Sequence, residues 1–139
     1  MSRIARIIYT ARIATTGGRE NGASRSSDGL LDIRLSTPGS MRIGTNPEQL
    51  LAAGWSASFA SAIVSAAHER KLTLPAGVSI SAEVDLNLGD DGYSLSTRLN
   101  VALPGVEHEA ARALIEQAHD ICPYSKATRG NVEISINLL

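Results

Sequence analysis

Four residues combine a reactive or charged side chain with a setting that could use it. Arg19 sits in the glycine loop Thr16-Gly17-Gly18-Arg19-Glu20-Asn21-Gly22. Glu48 follows Asn46-Pro47, where a helix should begin, and Ser58 lies mid-way along a long uncharged stretch. Cys122 is the only cysteine and stands before Pro123. A guanidinium is a permanent cation that can hold an anion, and a carboxylate can orient it through a bidentate pair. A thiol becomes a strong nucleophile once ionised. Each residue also has an ordinary role open to it. Arg19 could be a solvated loop residue, Glu48 a partner for the helix dipole, Ser58 a small packing residue, and Cys122 an inert buried thiol.

Other chemistries find less support. A single cysteine forms no disulfide within the chain, and three histidines show no zinc-ligand spacing. His108-Glu109-x-x-Arg112 begins like a zinc helix, but arginine replaces the second histidine. Gly17-Gly18 extends to neither a dinucleotide fingerprint nor a phosphate loop. His68 and His119 fall near helix C-termini, where histidine complements the dipole. A net charge of −1 gives no electrostatic case for nucleic acid or acidic lipid. The expectation is a protein without bound metal or cofactor, nucleic-acid partner or membrane span, in a reducing cytoplasm.

The elements that must position these residues follow from pattern. The 139 residues, 43% hydrophobic and 19% charged, suit one globular domain over 1–139. Residues 3–15 alternate as a long first strand, despite four arginines before the first acid that imitate a transit peptide. After the glycine loop come strands at Ala23–Ser27 and Leu30–Ser36, joined by Asp28-Gly29. Asn46, Pro47 and Gln49 start a helix reaching about His68–Lys71. Residues 49–67 carry no charge, yet four serines interrupt them, so burial is expected rather than a membrane. The helix is apolar nearly all round, with a small-residue row at Gly54, Ser58, Ala62 and Ala66 suited to close packing. Val78–Leu88 alternates as a strand, Gly89–Gly92 turns, and Tyr93–Leu103 returns. A second helix spans Glu107 to about Ile121, with Ala110, Leu114, Ala118 and Ile121 as its stripe and Cys122-Pro123 as its end. Asn131–Leu138 is the last strand. The order βββ-α-ββ-α-β argues an α+β fold rather than a doubly wound sheet. The long apolar helix favours a homodimer sharing one core.

Five strings, read together, resemble the OsmC/Ohr family, and within it the organic hydroperoxide resistance branch. They are Thr16-Gly17-Gly18-Arg19, Ser26-Ser27-Asp28-Gly29-x-Leu31, Gly44-Thr45-Asn46-Pro47-Glu48-Gln49-Leu50, Ala52-Ala53-Gly54-Trp55-Ser56-Ala57-Ser58-Phe59, and Cys122-Pro123-Tyr124-Ser125-Lys126-Ala127-Thr128-Arg129-Gly130-Asn131. The resemblance runs the length of the chain and implies the family's α+β fold as an intertwined homodimer with a long buried central helix. It also implies a thiol peroxidase for organic hydroperoxides. The attacking cysteine would lie in the central helix and the resolving cysteine in the Cys-Pro string, with the disulfide re-reduced by dihydrolipoyl groups on proteins. By this resemblance Cys122 is the resolving cysteine, Arg19 the site arginine and Glu48 the site glutamate.

The peroxidatic position holds Ser58. A hydroxyl has no accessible anion at neutral pH and can form neither a sulfenic acid nor a disulfide. The chain should therefore lack peroxidase turnover. Retention of Arg19, Glu48 and Cys122 favours a serine introduced to hold one redox state. The alternative is a natural non-catalytic relative that binds an apolar ligand in the same cleft. Gly39–Ile43 also departs from the branch, lacking its glycine-rich run. Glu48 and Ser58 are ten residues apart, about 15 Å along one helix, so Arg19 must bridge them or the glutamate must come from a second subunit. The expectation is a composite site, with Arg19 and Glu48 of one subunit facing Ser58 and Cys122 of the other. Trp55 and Phe59 would then favour a fatty or aryl hydroperoxide.

Overall fold

A computed structural model describes residues 5–139. It contains β1 (Ile13–Thr16), β2 (Ala23–Ser26), β3 (Asp32–Arg34), α1 (Pro47–Glu69), β4 (Ser79–Gly89), β5 (Gly92–Ala102), α2 (His108–Ile121), α3 (Pro123–Thr128) and β6 (Glu133–Leu138). The α+β class and the strand–helix order agree with the sequence, with α3 as an addition. The chain divides into two compact units, Met1–Pro47 and Glu48–Leu139.

The first unit is a three-stranded antiparallel sheet in the order β1-β2-β3. The long first strand is shorter than expected. Residues 3 and 4 lie outside the described residues, no strand is assigned over 5–12, and β1 begins at Ile13. Ile7, Ile8 and Tyr9 are 81%, 80% and 77% exposed. Alternation makes a half-buried strand only where another surface covers the apolar face, and among the described residues nothing covers these side chains. The third strand keeps its predicted face, with Leu35 buried and Leu31 and Ile33 half-buried.

In the second unit β4 and β5 pair antiparallel along their full length, from Ser79 opposite Ala102 to Gly89 opposite Gly92. β6 lies parallel to β5 on its other side. A parallel neighbour needs a crossover, and α2 and α3 supply it. Trp55, Phe59 and Ile63 of α1, Leu99 and Val101 of β5, and Leu114 and Ala118 of α2 form the core.

One expectation stands and two change here. Within one chain α1 buries a single face, through Trp55, Phe59, Ala62, Ile63, Ala66 and Ala67, while Val64 stays half-exposed. One sheet and one helix can cover only one side of it. The stripe of α2 is Ala111, Leu114, Ile115 and Ala118. Ala110 sits at its margin and Ile121 is partly exposed, because i, i+3, i+4, i+7 spacing from Ala111 gathers the larger side chains. The inward row of β4 weakens at Leu86 and Leu88, which are exposed where the hairpin reaches its tip.

The opposite face of the hairpin is laced by polar contacts. Arg98 donates to both carboxylate oxygens of Asp85 at 2.7 and 2.8 Å, and Ser96 Oγ donates to Asp85 at 2.7 Å. These bonds, from Arg98 first and Ser96 second, hold the Asp85 carboxyl well below the usual carboxylate range.

Candidate active site

Pro123 shapes the corner that carries Cys122. A residue before proline is steered out of the helical region, and Cys122 is extended at φ −63°, ψ 124°. Its N–H still closes α2 by donating to Ala118 O at 2.8 Å. Its C=O opens α3 by accepting from Lys126 N–H at 3.0 Å. Pro123 suits the first position of α3, where no amide proton is needed. Arg129 Nη2 then donates to the carbonyl of His119 in the last turn of α2, fastening the two helices together.

This corner presents the thiol to α1. Ser58 Oγ and Cys122 Sγ lie 3.6 Å apart although 64 positions separate them in sequence. Cys122 is fully buried, whereas Ser58 is half-buried. The small-residue row explains the close approach. A Cβ built on Gly54 would meet the Tyr124 hydroxyl at 3.0 Å and ring carbons at 3.4 and 3.5 Å. The row predicted to admit another backbone therefore admits the chain's own Cys122–Tyr124 segment.

Glu48 and Arg19 belong to other elements of the chain. Glu48 is half-buried in the first turn of α1, ten residues from Ser58 on the same helix and so about 15 Å away. The two side chains do not meet within one chain. Arg19 is half-buried in the Gly17–Gly22 loop of the first unit. That loop depends on positive φ at Gly17 (85°) and Gly18 (116°).

Trp55 and Phe59 are 1% and 0% exposed and face the core, so in the single chain they do not line an open apolar cleft. Sequence reasoning gave no individual role to Tyr124 or Ser125. Ser125 is fully buried with its hydroxyl unpartnered, as is Trp55 Nε1. Gly54 was the available signal for Tyr124, since a glycine inside a helix needs a packing reason. His119, one turn before Cys122, also has an unpartnered ring Nδ1. Its pKa is lowered, chiefly by burial and further by Arg129, with Asp120 opposing.

Chemically, the pair places a half-accessible atom next to a buried thiol. Position 58 is the more exposed of the two, and Cys122 Sγ is in direct contact with its hydroxyl.

Comparison with known proteins gives a consistent result. Residues 37–137 match the OsmC-like protein family. The organic hydroperoxide resistance protein of Xanthomonas axonopodis pv. citri is 42% identical over 142 residues, covering 99% of each chain. Organic hydroperoxide resistance protein OhrA of Bacillus subtilis is 37% identical over 136 residues, covering 94% of this chain and 96% of that one. The crystal structure of the Bacillus subtilis protein OhrB superposes with a TM-score of 0.90 at 36% identity, over 96% of this chain and all of that one.

Proposed function

Since the chain belongs to the OsmC/Ohr family, in its organic hydroperoxide resistance branch, we propose that it is the scaffold of a two-thiol peroxidase whose attacking thiol is replaced by Ser58. In the complete site a thiolate at position 58 would attack the distal peroxide oxygen. The O–O bond breaks, an alcohol leaves after taking a proton, and the sulfur becomes a sulfenic acid. Cys122 then displaces water to form the disulfide. A dihydrolipoyl dithiol, on a lipoylated protein, takes the disulfide back to two thiols and is itself oxidised. The 3.6 Å spacing between Ser58 Oγ and the buried Cys122 Sγ carries this reading. It matches an outer attacking group backed by an inner resolving one.

Ser58 sits mid-helix, so no helix N-terminus helps an anion there, and Arg19 is the cation for the thiolate, oriented by Glu48. We place these two on one subunit and Ser58 with Cys122 on the other, within an intertwined homodimer in the cytoplasm. The exposed Ile7, Ile8 and Tyr9 and the uncovered side of α1 support a second copy as their cover.

Ser58→Cys tests the reading. Consumption of cumene hydroperoxide with dihydrolipoamide should appear in this variant and be absent in the parent chain. A folded Ser58→Cys protein that consumes no hydroperoxide refutes the peroxidase and favours a binding protein.

A further inference from the structure

We propose that Arg42 is a positioning residue that clamps the Arg19 loop. The inference rests on the reading of Arg19 as the site cation and adds what holds that cation in place. The Gly17–Gly22 loop is drawn tight on its own backbone. Gly18 N–H donates to Thr16 O at 3.1 Å, and Gly22 N–H donates to Gly18 O at 2.8 Å. Gly22 is buried, and a Cβ there would collide with the carbonyls of Thr16 and Gly18. The loop closes at Gly22, beside the Thr16–Ala23 pair of the β1–β2 ladder, and the carbonyl of Gly22 accepts from outside the loop.

Two donors reach that carbonyl. Leu35 N–H donates to Gly22 O at 2.9 Å, and Arg42 Nη2 donates to the same oxygen at 3.2 Å. Arg42 Nε donates to Leu35 O at 2.9 Å. One planar guanidinium therefore ties the end of the Arg19 loop to the residue following β3. Its own base is firm. Ser36 N–H donates to Thr45 O and Thr45 N–H donates to Arg34 O, both at 2.9 Å. Gly44 runs so close to Arg34 that an added Cβ would lie 2.8 Å from the Arg34 carbonyl.

The contact needs two N–H groups held in a fixed planar fork, which guanidinium has and ammonium lacks. The test compares the full chain with Arg42→Lys and Arg42→Ala by amide hydrogen exchange. Both variants should exchange about tenfold faster at Gly18 and Gly22, with β4–β5 amides unchanged. Unaltered exchange at Gly22 in Arg42→Ala, or full protection in Arg42→Lys, overturns the clamp. A second readout uses the Ser58→Cys background. There Arg42→Lys should lower hydroperoxide turnover several-fold and move the pH midpoint for alkylation of the new thiol upward. An unmoved midpoint alongside faster exchange overturns the positioning role. If Ser58→Cys itself has no turnover, the peroxidase reading fails, while the exchange result still decides the clamp.

Discussion

Replacing Ser58 by cysteine should create a redox-dependent cross-link whose strength can be worked from the structure. Ser58 Oγ lies 3.6 Å from Cys122 Sγ, and a disulfide needs about 2 Å between sulfurs. Replacing Oγ by Sγ lengthens the bond to Cβ, and a χ1 change at either residue would bring the two sulfurs toward that separation. The bond would cyclise 64 residues of chain. Loop-closure entropy for that length gives about 4 kcal/mol at 25 °C, provided the native geometry is unstrained. With a urea m-value of about 2 kcal/mol/M, the oxidised variant should unfold about 2 M later than its reduced form. Urea titrations of Ser58→Cys with and without a dithiol reductant read this directly. Thiol counting under denaturing conditions should fall from two groups to none after mild oxidation, with the chain still monomeric on a non-reducing denaturing gel. The double variant Ser58→Cys/Cys122→Ser should show no redox shift. Two persistent thiols in the folded, oxidant-treated variant would refute the placement of the pair. A disulfide with an unmoved midpoint would refute the loop-closure argument.

Gly54→Ala should change stability by less than about 1 kcal/mol, because the helix-propensity gain offsets the push on Tyr124. Gly54→Val should displace the Tyr124 ring and alter near-ultraviolet circular dichroism. Phe59→Ala removes a fully buried core side chain and should cost about 3–5 kcal/mol in chemical denaturation. Asp85→Asn should lower the melting temperature at neutral pH. Its folded-state pKa is depressed, so the stabilisation is complete above the ordinary value of 3.8 and the gap to the parent should narrow as pH falls below it. His119 also has a depressed pKa, so its neutral form is favoured by folding. Stability should fall as pH drops through 6.5, and His119→Gln should flatten that part of the melting profile.

Elements with strong local signals were legible in sequence. The Asn46-Pro47 start placed α1 correctly, and strict alternation with Gly89–Gly92 placed the β4–β5 hairpin within a residue or two. The juxtaposition of Ser58 and Cys122 was accessible only through resemblance, since no local pattern encodes a contact across 64 residues. Periodicity states which side chains want cover, not what supplies it. That is why residues 5–12 read as a strand although they are exposed in the chain. Local pattern does not separate α3 from the end of α2, because α3 is one short turn-and-a-half and its opening proline both ends one helix and begins the next.

The way Cys122 is held has a kinetic consequence. Its N–H belongs to the last bond of α2 and its C=O to the first bond of α3, while the pyrrolidine ring of Pro123 stiffens the next residue. The sulfur is left with one free torsion, χ1, which is a fast motion where packing allows it. Re-aiming the sulfur within its buried corner therefore needs only that torsion. Release to solvent is the opposite case, because it must undo two helix ends at once. The rate at which a bulky alkylating reagent reaches Cys122 is thereby a clock for opening of the whole corner, and its dependence on denaturant distinguishes local fraying from global unfolding.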